Sequence, residues 1–412
     1  MRGWQSIRPR NGESVSRIFQ RAVFFLSVVI FASLGAGFLL GAGGMWGVHA
    51  GQQDGAYKQI GIYSDVLRRI QSDYVTDPNM GQVTDGALRG LVESLDADSG
   101  YLNPSEYKIY KSQANAGNAE TGLFVSKRFG YATVVTVLPG SPADKQHLGD
   151  GDIIESIGGS STRDLSLAVI RMMLKGQPGS TVNFSVVRPR KSDPDKITLT
   201  RALLTPPALE ATELEGSSIL SLKTGALTPQ RVDEIAARLK ASSGQKIILD
   251  LRDSAGTDEQ QGIRLANLFI GQGTLATLEG QKYPKQSFNA DPTRQIVTAP
   301  LAVLINRGTY GAAELTAAAI ASSKRGEVIG ERSFGEGSLQ KTIEMQNGSA
   351  LILTVAKYAG PNGKLIQNEA VTPTIELTKT ARTDEEEEED APKTAKVDEA
   401  RSKAIELLKG KN

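Results

Sequence analysis

Residues 246–270 read KIILDLRDSAGTDEQQGIRLANLFI. KIILDLR has the apolar density of a strand buried on both faces, DSAGT supplies turn residues, and Glu259 to Phe269 carries apolar residues at helical spacing. The same alternation runs outward on both sides. SSILSLK (217–223) and a helix from Pro229 to Ala241 come before; LAVLINR (301–307), a helix from Ala312 to Ser322 and GEVIGE (326–331) come after. Strands alternating with helices in this way predict an α/β core with mostly buried strands.

Toward the N-terminus, a Pro-Pro linker at 206–207 separates this core from a β-rich stretch. TGLFVSKRFGYATVVTVLPGSPADKQHLGDGDIIESIGG (121–159) gives strands at 122–127 and 131–138, then a turn and a further strand. A helix is expected from Leu165 to Lys175, and strands at Thr181 to Val187 and Lys196 to Arg201. The order resembles a PDZ domain over 120–204, which implies a groove for a peptide C-terminus. The resemblance puts Thr121, Gly122, Leu123 and Phe124 at the carboxylate loop, and Leu167, Ile170 and Leu174 on the groove helix. Filling a small β-rich core is the alternative reading for these apolar side chains.

Earlier still, apolar positions from Tyr57 to Val75 and a second run from Asp85 to Leu95 predict helices, and LDADSGYLNPSEY (95–107) is a turn-rich connector with another short helix beginning near Pro104; together they form a small helical element suited to packing or dimerisation. Arg2, Arg8, Arg10, Arg17 and Arg21 precede an uncharged run from Ala22 to Val48, longer than the ~20 residues that span a bilayer. This charge asymmetry predicts a single-pass helix in the inner or plasma membrane of a bacterium, with the body periplasmic or extracellular. A cleaved signal peptide is the competing reading, and it exports the same body. DEEEEED (384–390) reads as a solvated linker before a terminal helix in ARSKAIELLKG.

Composition removes several chemistries. With 47 Lys+Arg against 46 Asp+Glu the net charge is +1, so no global field recruits nucleic acid. The chain has no Cys, which excludes a thiol nucleophile and a Cys-ligated zinc, and its two His, His49 and His147, are too few for a His-rich metal site; no metal is expected. No cofactor is expected.

The order of anchor, helical arm, PDZ and α/β core resembles the bacterial carboxy-terminal processing peptidases. LDADSGYLNPSEY is similar to that family's LDPHSxYLxPxEY and ILDLRDSAGT (248–257) to ILDLRxNPGG. SFGEGSLQ (333–340) and LTVAKYAGPNGKLIQ (353–367) are similar to TFGKGSVQ and LTTARYYTPSGRxIQ. The resemblance implies an α/β multidomain chain with a core of the tail-specific protease (ClpP/crotonase-like) type. It divides the chain into a basic tail (1–21), transmembrane helix (22–48), helical arm (49–119), PDZ domain (120–204), peptidase-like core (205–380) and acidic linker with terminal helix (381–412).

The family's mechanism uses a serine nucleophile, a lysine base of lowered pKa and a glutamine that orients the lysine. Laid over GGSASASEI, the serine falls on Gly311; laid over FGKGSVQ, the lysine falls on Glu336 and the glutamine on Gln340. The oxyanion-loop positions are Gly256 and Thr257. Glycine offers no nucleophile and glutamate no amine, so the resemblance implies a pseudoprotease that binds protein or peptide C-termini, or partners an active processing peptidase, as a homo- or hetero-oligomer. The alternative is an active divergent endopeptidase in which Thr309, Ser338 or the Ser322-Ser323-Lys324 stretch supplies relocated groups. A paired-carboxylate site of Glu336 with Glu314 or Asp253 is a further reading. Glu336 is otherwise expected to pair with Arg307, Arg332 or Lys341.

Overall fold

The computed structural model describes residues 50–113, 119–128, 130–189, 193–214, 216–377 and 398–410. The expected membrane span and the acidic run lie outside them; among the described residues no helix is long and apolar enough to cross a membrane. Two units form, Met1–Val83 and Thr84–Asn412. In the first, the helix α1 spans Ala50–Asp73 and exposes Ile60, Ile62 and Val66. The helix α2, Met80–Glu93, lies mostly in the second unit, and α3, Pro104–Gln113, wholly in it.

Within the second unit, Leu123–Arg128, Tyr131–Val137, Ile153–Ile157, Thr181–Val187 and Asp195–Thr200 pair in that order as an antiparallel sheet. Val125, Val134, Ile154, Phe184 and Leu199 turn inward against Leu167, Ile170 and Leu174 of the helix α4, Leu167–Leu174. Ser166 caps that helix by accepting the amide of Val169.

The core is a six-stranded sheet. Glu210–Glu213 pairs antiparallel to Ile219–Lys223, and Lys246–Asp250, Leu301–Ile305, Glu327–Gly330 and Ile375–Glu376 follow in parallel. Its central strands are buried on both faces, as the unbroken apolar runs require. One face meets the helices α5 (Pro229–Ala241), α6 (Glu259–Asn267) and α7 (Ala312–Ser322) through Leu220, Leu249, Val303, Ile235, Leu265 and Leu315. On the other, Ile219, Ile248, Leu304 and Ile329 receive Ala404 and Leu408 of the helix α8, Glu399–Lys409. That helix is held at both ends. Arg252 donates to both carboxylate oxygens of Asp398, at 2.9 and 2.8 Å, and Lys246 Nζ donates to the Leu408 carbonyl at 2.9 Å.

A second, antiparallel sheet was not expected. Ala350–Ala359 pairs with Ser338–Glu344 and with Thr274–Glu279, which pairs in turn with Gln286–Asn289. Gly100–Leu102, inside the supposed turn-rich connector, pairs with Ala350–Ile352. The connector is thereby woven into the core.

Candidate functional site

Gly311 is the N-cap of α7, with φ 60 and ψ −114. Tyr310–Gly311 pairs parallel with Ala255–Gly256, and Tyr310 N donates to the Ser254 carbonyl at 2.9 Å. A β-carbon at 311 would lie 2.2 Å from the Gly256 carbonyl oxygen, so the nucleophile position is closed by backbone of the oxyanion loop. Gly256 is itself pressed close, since a β-carbon there would come within 2.8 Å of Ala312 Cβ. Thr257, next along, is exposed.

Glu336 is 7% exposed and Glu314 fully buried. Glu314 Oε2 accepts the amides of Gly311 at 3.0 Å and Glu336 at 2.8 Å, while Oε1 accepts the Gly335 amide at 2.6 Å and the Ser333 hydroxyl. One carboxylate therefore binds the nucleophile turn to the base-position loop. Burial pushes its pKa up to about 7 against these four donors.

The side chain of Glu336 faces a cavity of about 290 Å³ lined by Asp98, Ser126, Lys127, Phe334 and Gln367. Ser338 Oγ lies 3.3 Å from Glu336 Oε1 and 3.5 Å from Asp98 Oδ2, bridging the two acids, and Gln340 Nε2 donates to Ser338 Oγ at 2.5 Å. Gln367 Nε2 donates to Asp98 at 3.0 Å. Burial first, then the charge of Asp98, pushes Glu336 up to about 8; burial raises Asp98 as well, opposed by Arg171. Across the pocket, Arg171 of α4 reaches Asp98 Oδ1 at 3.4 Å and donates to the Tyr310 hydroxyl at 3.0 Å.

Several expectations are corrected here. Glu336 does not pair with Arg307 or Arg332: Arg307 lies 3.8 Å from Glu331, and Arg332 donates to the Glu369 carbonyl. The acid sharing its pocket is Asp98, which in the sequence looks like part of a turn. Asp253 has a different partner, accepting Asn306 Nδ2 at 2.9 Å. Of the alternative hydroxyls, Thr309 is fully buried and donates to the Leu251 carbonyl, Ser338 is 5% exposed, and Ser323 donates to the Ala319 carbonyl of its own helix.

The peptide-binding candidates also sit differently. Leu167, Ile170 and Leu174 point into the PDZ-like core, and the opposite face of α4, Val169 and Met172, packs on Leu102, Tyr107, Ala350 and Ile352. Both of these faces of the helix are therefore packed. Thr121 and Gly122 accept the amides of Ala143 and Leu138 at 3.0 and 2.8 Å, and Leu123 is buried beside them. Phe124 instead leans on Tyr310, ring centroids 6.5 Å apart, and Tyr310 on Phe334 at 5.4 Å. A cavity of about 220 Å³ opens beside Phe124, between Thr136 to Pro139 and the core residues Ala226, Arg231 and Ala255.

Comparison with known proteins bears on the domains that carry these residues. Residues 218–377 match the model of peptidase family S41 and residues 133–188 that of a PDZ domain. The chain is 30% identical to the chloroplastic carboxyl-terminal-processing peptidase 2 of Arabidopsis thaliana over 75% of its length, and 28% identical to the carboxy-terminal processing protease CtpA of Bacillus subtilis over 74%. It spans 63% and 66% of the length of those relatives. Among solved structures, the photosystem II D1 C-terminal processing protease superposes with a TM-score of 0.63 at 25% identity, covering 76% of this chain and 92% of that one.

Proposed function

We propose, from the premise that this chain belongs to peptidase family S41 and to its carboxy-terminal processing branch, that it is a pseudoprotease. It binds protein C-termini, or modulates an active processing peptidase, without cutting. The observation that carries this is at Gly311: it has no side chain to acylate, and the Gly256 carbonyl occupies the space in which one would begin. The base is lost independently, because a carboxyl at Glu336 offers no neutral amine for a family-type proton transfer. Thr309 and Ser323, whose hydroxyls donate to backbone carbonyls, and the buried Ser338 weigh against a relocated nucleophile.

We further place the body outside the cytoplasm, tethered through 22–48, on the basic flank of that apolar run. Peptide recognition falls to the Thr121 to Phe124 loop and α4. Because the groove side is packed in this conformation, binding requires α4 to part from Leu102 and Ile352, with Phe124 leaving Tyr310.

The test pairs two measurements on one peptide set. Peptides with a free apolar C-terminus should bind the full-length protein, and their amidated forms should bind more weakly. None should be cleaved, and a serine-reactive probe should label no residue stoichiometrically. Cleavage abolished by changing a single Ser or Thr would refute the reading.

A further inference from the structure

The pocket around Glu336 has changed sign. Where the family motifs LDPHSxYLxPxEY and TFGKGSVQ have His and Lys, this chain has Asp98 and Glu336, and Ser338 Oγ spans them at 3.5 and 3.3 Å. These residues come from separate parts of the chain: Asp98 precedes the strand Gly100–Leu102, and Glu336 precedes Ser338–Glu344. Facing them is a single guanidinium from the PDZ domain. Arg171 lies 3.4 Å from Asp98 Oδ1, donates to Tyr310 Oη at 3.0 Å, reaches the Val125 carbonyl at 3.5 Å, and feels the charge of Glu336.

We propose that Asp98 and Glu336 form one anionic seat for Arg171, so that the vacated base pocket serves as a latch holding the PDZ domain on the nucleophile turn. Two close, largely buried carboxyls retain one proton between them, leaving one negative charge opposite one positive charge. A lysine at 336 would place a second cation beside Arg171. The aromatic contact of Phe124 with Tyr310 lies next to the ion pair, so both kinds of contact open or close together. This inference rests on the reading of the core as non-cleaving, and under it the core sets when the PDZ domain is free.

The chain has no Cys, so labels introduced at Ser160 and Ser243, exposed positions of the PDZ domain and the core, report their separation by pulsed electron spin resonance without background. The full-length protein should give one narrow distance distribution. Asp98→Asn with Glu336→Gln, which keeps shape and removes charge, should broaden it or add a second population, and Arg171→Gln should do the same from the PDZ side. Arg171→Lys, which keeps the charge, should restore much of the narrow distribution. Should the double variant fail to fold, Arg171→Gln decides alone, because its side chain is 37% exposed and the core face of the helix is made by Leu167, Ile170 and Leu174. An unchanged distribution in Arg171→Gln would overturn the latch. Peptide cleavage is scored separately: activity in the parent would defeat the pseudoprotease reading while leaving the distance result to stand or fall on its own.

Discussion

Glu314 accepts the amide of Glu336 at 2.8 Å on the same oxygen that accepts the amide of Gly311 at 3.0 Å. The two positions from which family chemistry would operate are thus held together by an acid that takes no part in that chemistry. Their relative placement needs no side chain at 311, because backbone amides make both contacts.

Removing this staple should be costly. Glu314→Ala leaves three buried amides and the Ser333 hydroxyl without their acceptor, at roughly 1–3 kcal/mol per unpaired group before relaxation. A net destabilisation of about 3 kcal/mol or more is expected in urea denaturation. A change under about 1 kcal/mol would mean that water or neighbouring groups replace the carboxylate.

Restoring serine should not restore the enzyme. Gly311→Ser, alone or with Glu336→Lys, meets the Gly256 carbonyl and forces a side chain onto a backbone at φ 60. Strain and overpacking together should cost on the order of 2–4 kcal/mol. The double variant should melt lower than the parent and hydrolyse no peptide; turnover by it would show that the 254–257 loop moves aside readily.

Stability should decline toward alkaline pH. Glu336 titrates at about 8 in the folded chain against an ordinary 4.5, so the folded state holds a proton that the unfolded chain has released. Its stabilising effect is complete below about 4.5 and is lost as pH rises through about 8. Glu314, at about 7, acts in the same direction over a narrower window. Denaturation at about pH 5.5 and 8.5 should show a loss on the order of a few kcal/mol in the parent. In Glu336→Gln the remaining slope should lie below about pH 7. An identical slope in the two proteins would contradict the assignment.

Arg252→Ala should release α8. It removes a two-pronged contact to Asp398 and leaves Asp250, 6% exposed, without its guanidinium. Losing one partner of such a pair costs about 2–4 kcal/mol, and hydrogen exchange should rise across 399–409 before the rest of the core opens. Uniform exchange would argue that the apolar contacts of Ala404 and Leu408 suffice.

What was legible in the sequence follows from locality. The helices α5 and α7 occupy the stretches their periodicity predicts, and α5 carries its own signals, with Thr228 as cap and Pro229 in the first turn. The assignment of Gly311 and Glu336 to the nucleophile and base positions rests on short motifs, and what the structure adds is that Glu314 bonds the amides of both. Asp98 was hidden because its partners lie far along the chain: only when Gly100–Leu102 pairs with Ala350–Ile352 does it enter the pocket. The filled groove was hidden for a similar reason. Leu167, Ile170 and Leu174 have the spacing of either a binding face or a core face, and the packing of Val169 and Met172 on the second sheet is what removes the open side.

The pairing of Gly256 with Gly311 also bears on descent. For a lineage carrying this backbone, a codon change that puts serine back at 311 is penalised before it can be rewarded, since the loop must first retreat. That retreat is opposed elsewhere, because the Ala255 carbonyl holds the Leu227 amide at 3.0 Å and the Ser254 carbonyl holds that of Tyr310. Under the non-cleaving reading, a serine at 311 is accommodated only together with changes that free the 254–256 backbone, so the geometry disfavours reversal by a single substitution.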